Sequence, residues 1–213
     1  IVYGIDCEKC HGPAAKHVEF HQGNTTDTAA KFIVNPAKLT RRQNLDLCAL
    51  CHGGKFRKIK PSFSFTAGGK LTNYFSIDTF GRNNAMTMDV HGNQYGLMAS
   101  SKCFKNSEMT CTSCHNAHEN EKGKLQVCSQ RCMNCHQQGH EKLCKLTATE
   151  GKAINNNCID CHMPRQPSHS IALMLQGGTS PRPALMRTHL ITIYPEQTKK
   201  VLAFIKQQSN KKS

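Results

Sequence analysis

Five times in this chain two cysteines stand three positions apart with histidine directly after the second: Cys7/Cys10/His11, Cys48/Cys51/His52, Cys111/Cys114/His115, Cys132/Cys135/His136 and Cys158/Cys161/His162. At random, these Cys and His frequencies would yield roughly 0.04 copies of the pattern. Cysteines at i and i+3 share one face of a helical turn. There each can form a thioether with one vinyl group of a haem, and the next residue faces the iron. Histidine supplies a neutral imidazole nitrogen, and its other ring nitrogen needs a hydrogen-bond partner that fixes the ring. The spacing therefore predicts five covalent haems c, attached through the ten motif cysteines and ligated on the proximal side by His11, His52, His115, His136 and His162. Two Cys-x-x-Cys units can make a zinc site and one can be a redox dithiol, but neither needs histidine after the second cysteine five times.

Composition points the same way. Thirteen Cys and twelve His stand beside only nine Phe, four Tyr and no Trp, a poor inventory for a side-chain core in 213 residues. Haem would supply the missing interior, as metals and cofactors do for domains that cannot bury enough apolar surface. The expected fold is mainly α with much irregular structure, short helices wrapped on porphyrin, and one short β-hairpin. The formal charge of +14 is partly offset by haem propionates, which bring the total to roughly +9 or +4 with oxidation state. Part of the excess Lys and Arg then neutralises the cofactors, and part suits a docking face for a redox partner. The chain has no recognisable nucleic-acid-binding module, and nucleic acid is not an expected partner. No run of eighteen apolar residues is present, so no transmembrane segment is expected.

Seven histidines remain for the far side of the irons: His17, His21, His91, His118, His140, His169 and His189. His17, His91, His118, His169 and His189 are the stronger candidates, with His21 and His140 as further ones. His118 follows His115 by three residues, a span of about 10 Å at full extension. It cannot easily reach the opposite face of the same haem, so it serves a neighbour and pins two irons close together. The same argument applies to His140 after His136, His169 after His162, and His17 or His21 after His11. Methionine is the other common axial ligand and would raise the potential, but most of the eight Met suit the core, and Met163 sits too near His162 to ligate the same iron. With His on both sides, low potentials are expected.

Thioether attachment takes place in oxidising, extracytoplasmic compartments, so a periplasmic, cell-surface or extracellular location is expected. Three cysteines are left over, Cys103, Cys128 and Cys144. They allow one disulfide, with Cys103–Cys144 the favoured pair, or three unpaired buried thiols.

Residues 1–195 read as a single multihaem domain, followed by a C-terminal helix from about Glu196 to Lys206 and a basic tail reaching 213. The Gly68-Gly69 pair with Phe63 and Phe65 predicts a β-hairpin insert over 62–75. Residues 55–60 read as a solvated or propionate-facing basic run, and the stretch from Pro167 through Pro183 as a Gly- and Pro-containing loop. The chain opens at Ile1 with no signal segment before the first motif, so a processed or incomplete N terminus is expected.

These residues resemble a known family. Cys7 through Pro13 followed by His17 resembles a middle-haem segment of the tetrahaem cytochrome of ammonia oxidisers. Met109 through His118 and Cys158 through Pro164 resemble segments of the wider group that includes pentahaem nitrite reductase and the octahaem enzymes. The resemblance implies a multihaem cytochrome c fold and an electron carrier whose partners are redox proteins, other multihaem cytochromes or a membrane-associated complex. Relatives of this kind often carry further haem motifs upstream, for which two of the seven histidines would be available. Nitrite reductase has Lys in place of the motif His at its catalytic haem, whereas all five motifs here end in His. The tyrosine cross-link of the octahaem hydroxylamine enzymes has no counterpart arrangement among Tyr3, Tyr74, Tyr95 and Tyr194. No catalytic residues are therefore expected. The competing readings are a small reductase of nitrite, hydroxylamine or a sulfur oxyanion with one five-coordinate haem, and a subunit of a larger conductive assembly.

Overall fold

The computed structural model describes residues 4–77, 85–137 and 143–210. It is mainly helical with much irregular chain and two small antiparallel sheets of two strands each. Two compact units are present, Ile1–Phe80 and Gly81–Ser213.

In the first unit α1 (Cys7–His11) and α2 (Ala15–Gly23) are followed by α3 (Arg41–His52). The last begins on a capping box, in which Thr40 Oγ1 accepts the Gln43 N–H at 3.3 Å and Gln43 Oε1 accepts the Thr40 N–H at 3.0 Å. Asp46 is buried on α3, pairs with Arg42 at 2.9 Å and accepts the Leu71 N–H at 3.0 Å. That bond fastens a 3-10 turn, Leu71–Asn73, to the helix and seals Leu71 inside at 0 % exposure.

The sheet of this unit corrects the expected insert. Strands β1 (Phe56–Lys58) and β2 (Phe75–Ile77) pair in the register Phe56↔Ile77, Arg57↔Ser76 and Lys58↔Phe75. The segment 62–75 is therefore mostly the connection, and the basic run supplies a strand. Gly68 and Gly69 do turn the chain, but the turn is tied to α3 by Gln43 Nε2 donating to the Gly68 carbonyl at 2.6 Å. Phe63 takes a left-handed φ of 65° and is 95 % exposed, which no strand residue on a packed face would show.

The second unit runs through α4 (Gln94–Ala99), α5 (Lys102–Lys105), α6 (Leu125–Met133), α7 (Thr147–Glu150) and α8 (Cys158–His162). It then forms β3 (Arg165–Leu173) and β4 (Arg182–Arg187) and ends in α9 (Pro195–Asn210). The loop expected over 167–183 is thus mostly a second hairpin. Its prolines masked it: Pro167 stands opposite Leu185 and Pro183 opposite Ala172, positions a two-stranded ribbon tolerates because both strands are edges. A small core of Val90, Leu97 and Leu190 is flanked by Met88 and Met186. The final helix extends to Asn210, one turn beyond the predicted end, with Pro195 in its first turn. No described helix is long and apolar enough to cross a membrane.

Candidate functional site

Each motif occupies a turn of helix, which brings its two cysteines and histidine to one face. The first is α1, the second ends α3, the third is a 3-10 turn at Cys111–Ser113, the fourth leaves the end of α6, and the fifth is α8. In the third and fourth the turn closes by the His115 N–H donating to the Cys111 carbonyl at 3.0 Å and the His136 N–H to Cys132 at 3.1 Å.

The first and fifth motif histidines are held by the same device. His11 donates Nδ1–H to the Val34 carbonyl at 2.9 Å, and the His11 carbonyl accepts the Val34 N–H at 2.9 Å. His162 donates Nδ1–H to the Thr192 carbonyl at 2.9 Å, and its own carbonyl accepts the Thr192 N–H at 3.3 Å. A carbonyl only accepts, so the proton is on Nδ1 and the lone pair of Nε2 is left for a metal. His17 is oriented alike, Nδ1 to the Lys31 carbonyl at 2.8 Å, whereas His21 uses Nε2 on the Ala29 carbonyl at 3.1 Å. The two rings meet edge to face, 4.6 Å between centroids. Of the pair, His17 presents the nitrogen that reaches farther from the chain.

His115 and His189 have ring centroids 6.0 Å apart and planes 28° apart. Two imidazoles bonded to opposite sides of one metal at about 2 Å per bond would have centroids about 6.3 Å apart. The observed separation is close to that value, with the two rings near parallel.

His91 and His169 are joined through a residue that sequence patterns did not single out. Asp89 Oδ1 accepts the His91 N–H at 3.1 Å and the His169 N–H at 3.2 Å, while Oδ2 accepts the Ser168 hydroxyl at 3.3 Å. Burial pushes the Asp89 carboxyl up, but hydrogen bonds from Ser170, the two backbone N–H groups and Ser168 outweigh it and hold the pKa at about 2. One ionised carboxylate thereby places two candidate axial ligands from segments 80 residues apart. The only sequence signal was Asp two positions before a histidine, which is common in turns.

His118 lies in the turn after the third motif, its N–H on Asn116 Oδ1 at 3.0 Å. His52 ends α3 and His136 follows α6. His140, a further distal candidate, lies outside the described residues.

Motif cysteines also approach one another within each unit. Burial raises the Cys10 thiol, with the charges of Cys48 and Cys51 adding to it, so the first two motifs are neighbours. The adjoining Cys132 and Cys158 thiols shift each other, Cys158 downward and Cys132 upward, so the fourth and fifth motifs meet at their first cysteines. Buried Ser129 on α6 accepts the Cys158 N–H at 3.2 Å and fixes that approach. Arg131 ties the third motif to α6 by donating to the Cys114 carbonyl and to Glu121, at 2.7 Å on Oε2. No cysteine is disulfide-bonded to another, so the Cys103–Cys144 pair favoured from sequence is not formed. Burial raises the Cys103 thiol and the Cys161 thiol, with the charge of Cys135 adding at Cys103 and that of Cys144 at Cys161. Cys103 and Cys144 therefore each neighbour a different motif cysteine.

An apolar cavity of about 340 Å³ lies beside the first motif, bounded by His11, Pro13, Phe32, Ile33, Val34 and Ala67. Phe32 holds a left-handed φ of 55° at its wall, the kind of backbone strain that collects at ligand sites. Among the described residues no three His, Cys, Asp or Glu side chains converge on one ion position. Paired histidines beside paired cysteines are the donor set of covalent haem, whose porphyrin supplies four of the six iron positions. No family model, curated protein or solved structure matches the chain.

Proposed function

We propose that this chain is an extracytoplasmic multihaem c-type cytochrome that carries electrons through five haems, each attached by a Cys pair and ligated by its motif histidine. The observation that carries this reading is the pair His115 and His189, whose near-parallel rings and 6.0 Å centroid separation suit two axial ligands of one iron. Bound haem supplies reversible one-electron Fe(III)/Fe(II) chemistry. The chain's own residues do the rest. Val34 and Thr192 hold the tautomer and orientation of His11 and His162. Asp89 holds the segments of His91 and His169. His17 and His118 are the further distal ligands, and His21 and His140 remain candidates for the same role.

The neighbouring motifs in each unit support close haem spacing there, and the sparse side-chain core supports a fold condensed on cofactor. Ligation by His on both sides leaves no open iron position, which favours a carrier over a reductase. Redox proteins are the proposed partners.

The test is spectroscopic. Purified material should show a Soret band, an iron content of five per chain and only low-spin ferric signals in electron paramagnetic resonance. A high-spin signal would favour the reductase reading, and colourless, iron-free protein would end the haem reading altogether.

A further inference from the structure

A second cleft, of about 350 Å³, lies in the second unit between α8, the start of β3, the end of β4 and α9. Its walls carry Asp160, Arg165, Arg187, Lys200 and, on the rim, Phe204, which is 60 % exposed. Three cations thus surround one carboxylate. Arg187 is committed: it pairs with Asp160 at 2.8 Å and donates to the Met163 carbonyl at 2.8 Å and the Ile159 carbonyl at 3.2 Å. Arg165 stands directly opposite Arg187 across the β3–β4 ladder, and like charges opposite one another disfavour a strand pair. Among the described residues neither Arg165 nor Lys200 has a carboxylate partner.

This placement makes little sense for folding alone, since the ladder would be better served by a neutral residue at 165. It makes sense if an anion arrives from outside. The vinyl and propionate groups of a haem occupy opposite edges of the ring. A haem bonded through Cys158 and Cys161 would have its propionates on the ring edge away from those two cysteines, so that haem would not use these cations. A small inorganic anion would use the guanidinium and ammonium groups but not the phenyl ring of Phe204. A protein surface uses both, because exposed aromatic and Arg side chains are the usual anchors of interfaces and charge complementarity steers encounter.

We propose that this cleft docks the acidic surface of a protein redox partner, with carboxylates seated between Arg165 and Lys200 and apolar atoms against Phe204. The inference rests on the haem reading, because docking beside α8 brings a partner next to the fifth motif. Transfer there moves one electron from the reduced partner to a ferric haem, with no bond made or broken.

The experiment uses the haem-loaded protein and reduced flavodoxin, a small and strongly acidic flavoprotein, as the probe. Stopped-flow reduction is followed in the Soret region at about 20 mM salt, where surface charges act over tens of ångströms. R165E/K200E should slow reduction by flavodoxin about tenfold or more, while reduction by dithionite and the ferric spectrum stay as in the wild type. The control K38E/K55E changes net charge equally at exposed sites in the first unit and should slow flavodoxin far less. F204S should slow it at all salt concentrations. Equal slowing in both double variants, or none in R165E/K200E, would overturn the docking site. So would inhibition of the wild type by sulfate at constant ionic strength that R165E/K200E escapes, since the cleft would then be a site for a free oxyanion. A wild-type protein without a Soret band fails the haem reading instead, and is seen before any variant is made.

Discussion

The imidazoles of His115 and His189 lie 6.0 Å apart between centroids with planes 28° apart, although they stand 74 positions apart in the sequence. The first belongs to the third motif and the second to the segment between β4 and α9, so segments far apart in sequence bring two imidazoles together. That relationship is the sharpest place to test the ligand assignment.

Replacing His189 by Ala should turn one of five haems high-spin without loss of covalent haem. His189→Met should instead raise one midpoint potential, by roughly 0.1 V, because a thioether stabilises ferrous iron relative to imidazole. Spectroelectrochemical titration of the two variants checks both outcomes. An unchanged spin state in H189A would remove His189 from the ligand set.

Asp89 should matter for placement as much as for stability. Asp89→Ala leaves two backbone N–H groups and the Ser168 hydroxyl without their acceptor, a loss of about 2–4 kcal/mol in unfolding free energy. Asp89→Asn keeps one acceptor oxygen and should lose about half as much. Urea midpoints give the energies, and the low-spin resonance lines of the irons bound by His91 and His169 should broaden in D89A.

How much of this was legible beforehand divides by range. The motif residues announce themselves locally, because thioether and axial chemistry both fit into five consecutive positions. The start of α9 at Pro195 is local too. What could not be read were the acceptors. Val34 and Thr192 act through backbone carbonyls, which every residue owns, so their identity carries no signal. Asp89 gains its role only when residues 168–170 fold against it. The hairpin was misplaced because Phe63 and Phe65 alternate as a strand would, whereas the true strands lie outside them and are three residues each, too short for periodicity to register. The β3–β4 ribbon was missed because proline is ordinarily a signal against strand.

His17 and His21 sit one helical turn apart and offer different nitrogens, so their variants should differ. His17→Ala should cost one low-spin iron its axial ligand and give a high-spin signal, while His21→Ala should leave the spin state unchanged. Resonance spectra of the two variants at matched haem content decide the matter, and the reverse result would assign the ligand to His21.

Glu121 provides a pH signature. The Arg131 guanidinium, with help from the Asn116 N–H, holds its carboxyl at about 2, below the ordinary value of about 4.3. A lowered folded pKa favours the ionised form, so its stabilisation is complete above the ordinary value and fades as pH falls through that value toward about 2. Glu121→Gln should therefore be less stable than the wild type at neutral pH, and the gap should close on acidification. Denaturation midpoints at pH 7 and near pH 3 test the sign.

Ser101 adds a point about order of events. It is buried at the start of α5, accepts the Ile191 N–H at 2.8 Å and lies 3.3 Å from the carbonyl of His189, 88 residues along the chain. A polypeptide emerging N terminus first exposes the third motif to the attachment machinery well before residues 189–191 exist to be fastened. Haem at that position would begin life with one protein ligand and an open face, and would be sealed only when residues 189–191 latch onto Ser101. On the proposed haem reading, maturation of this site would have two stages, and a truncation after β4 should trap the first.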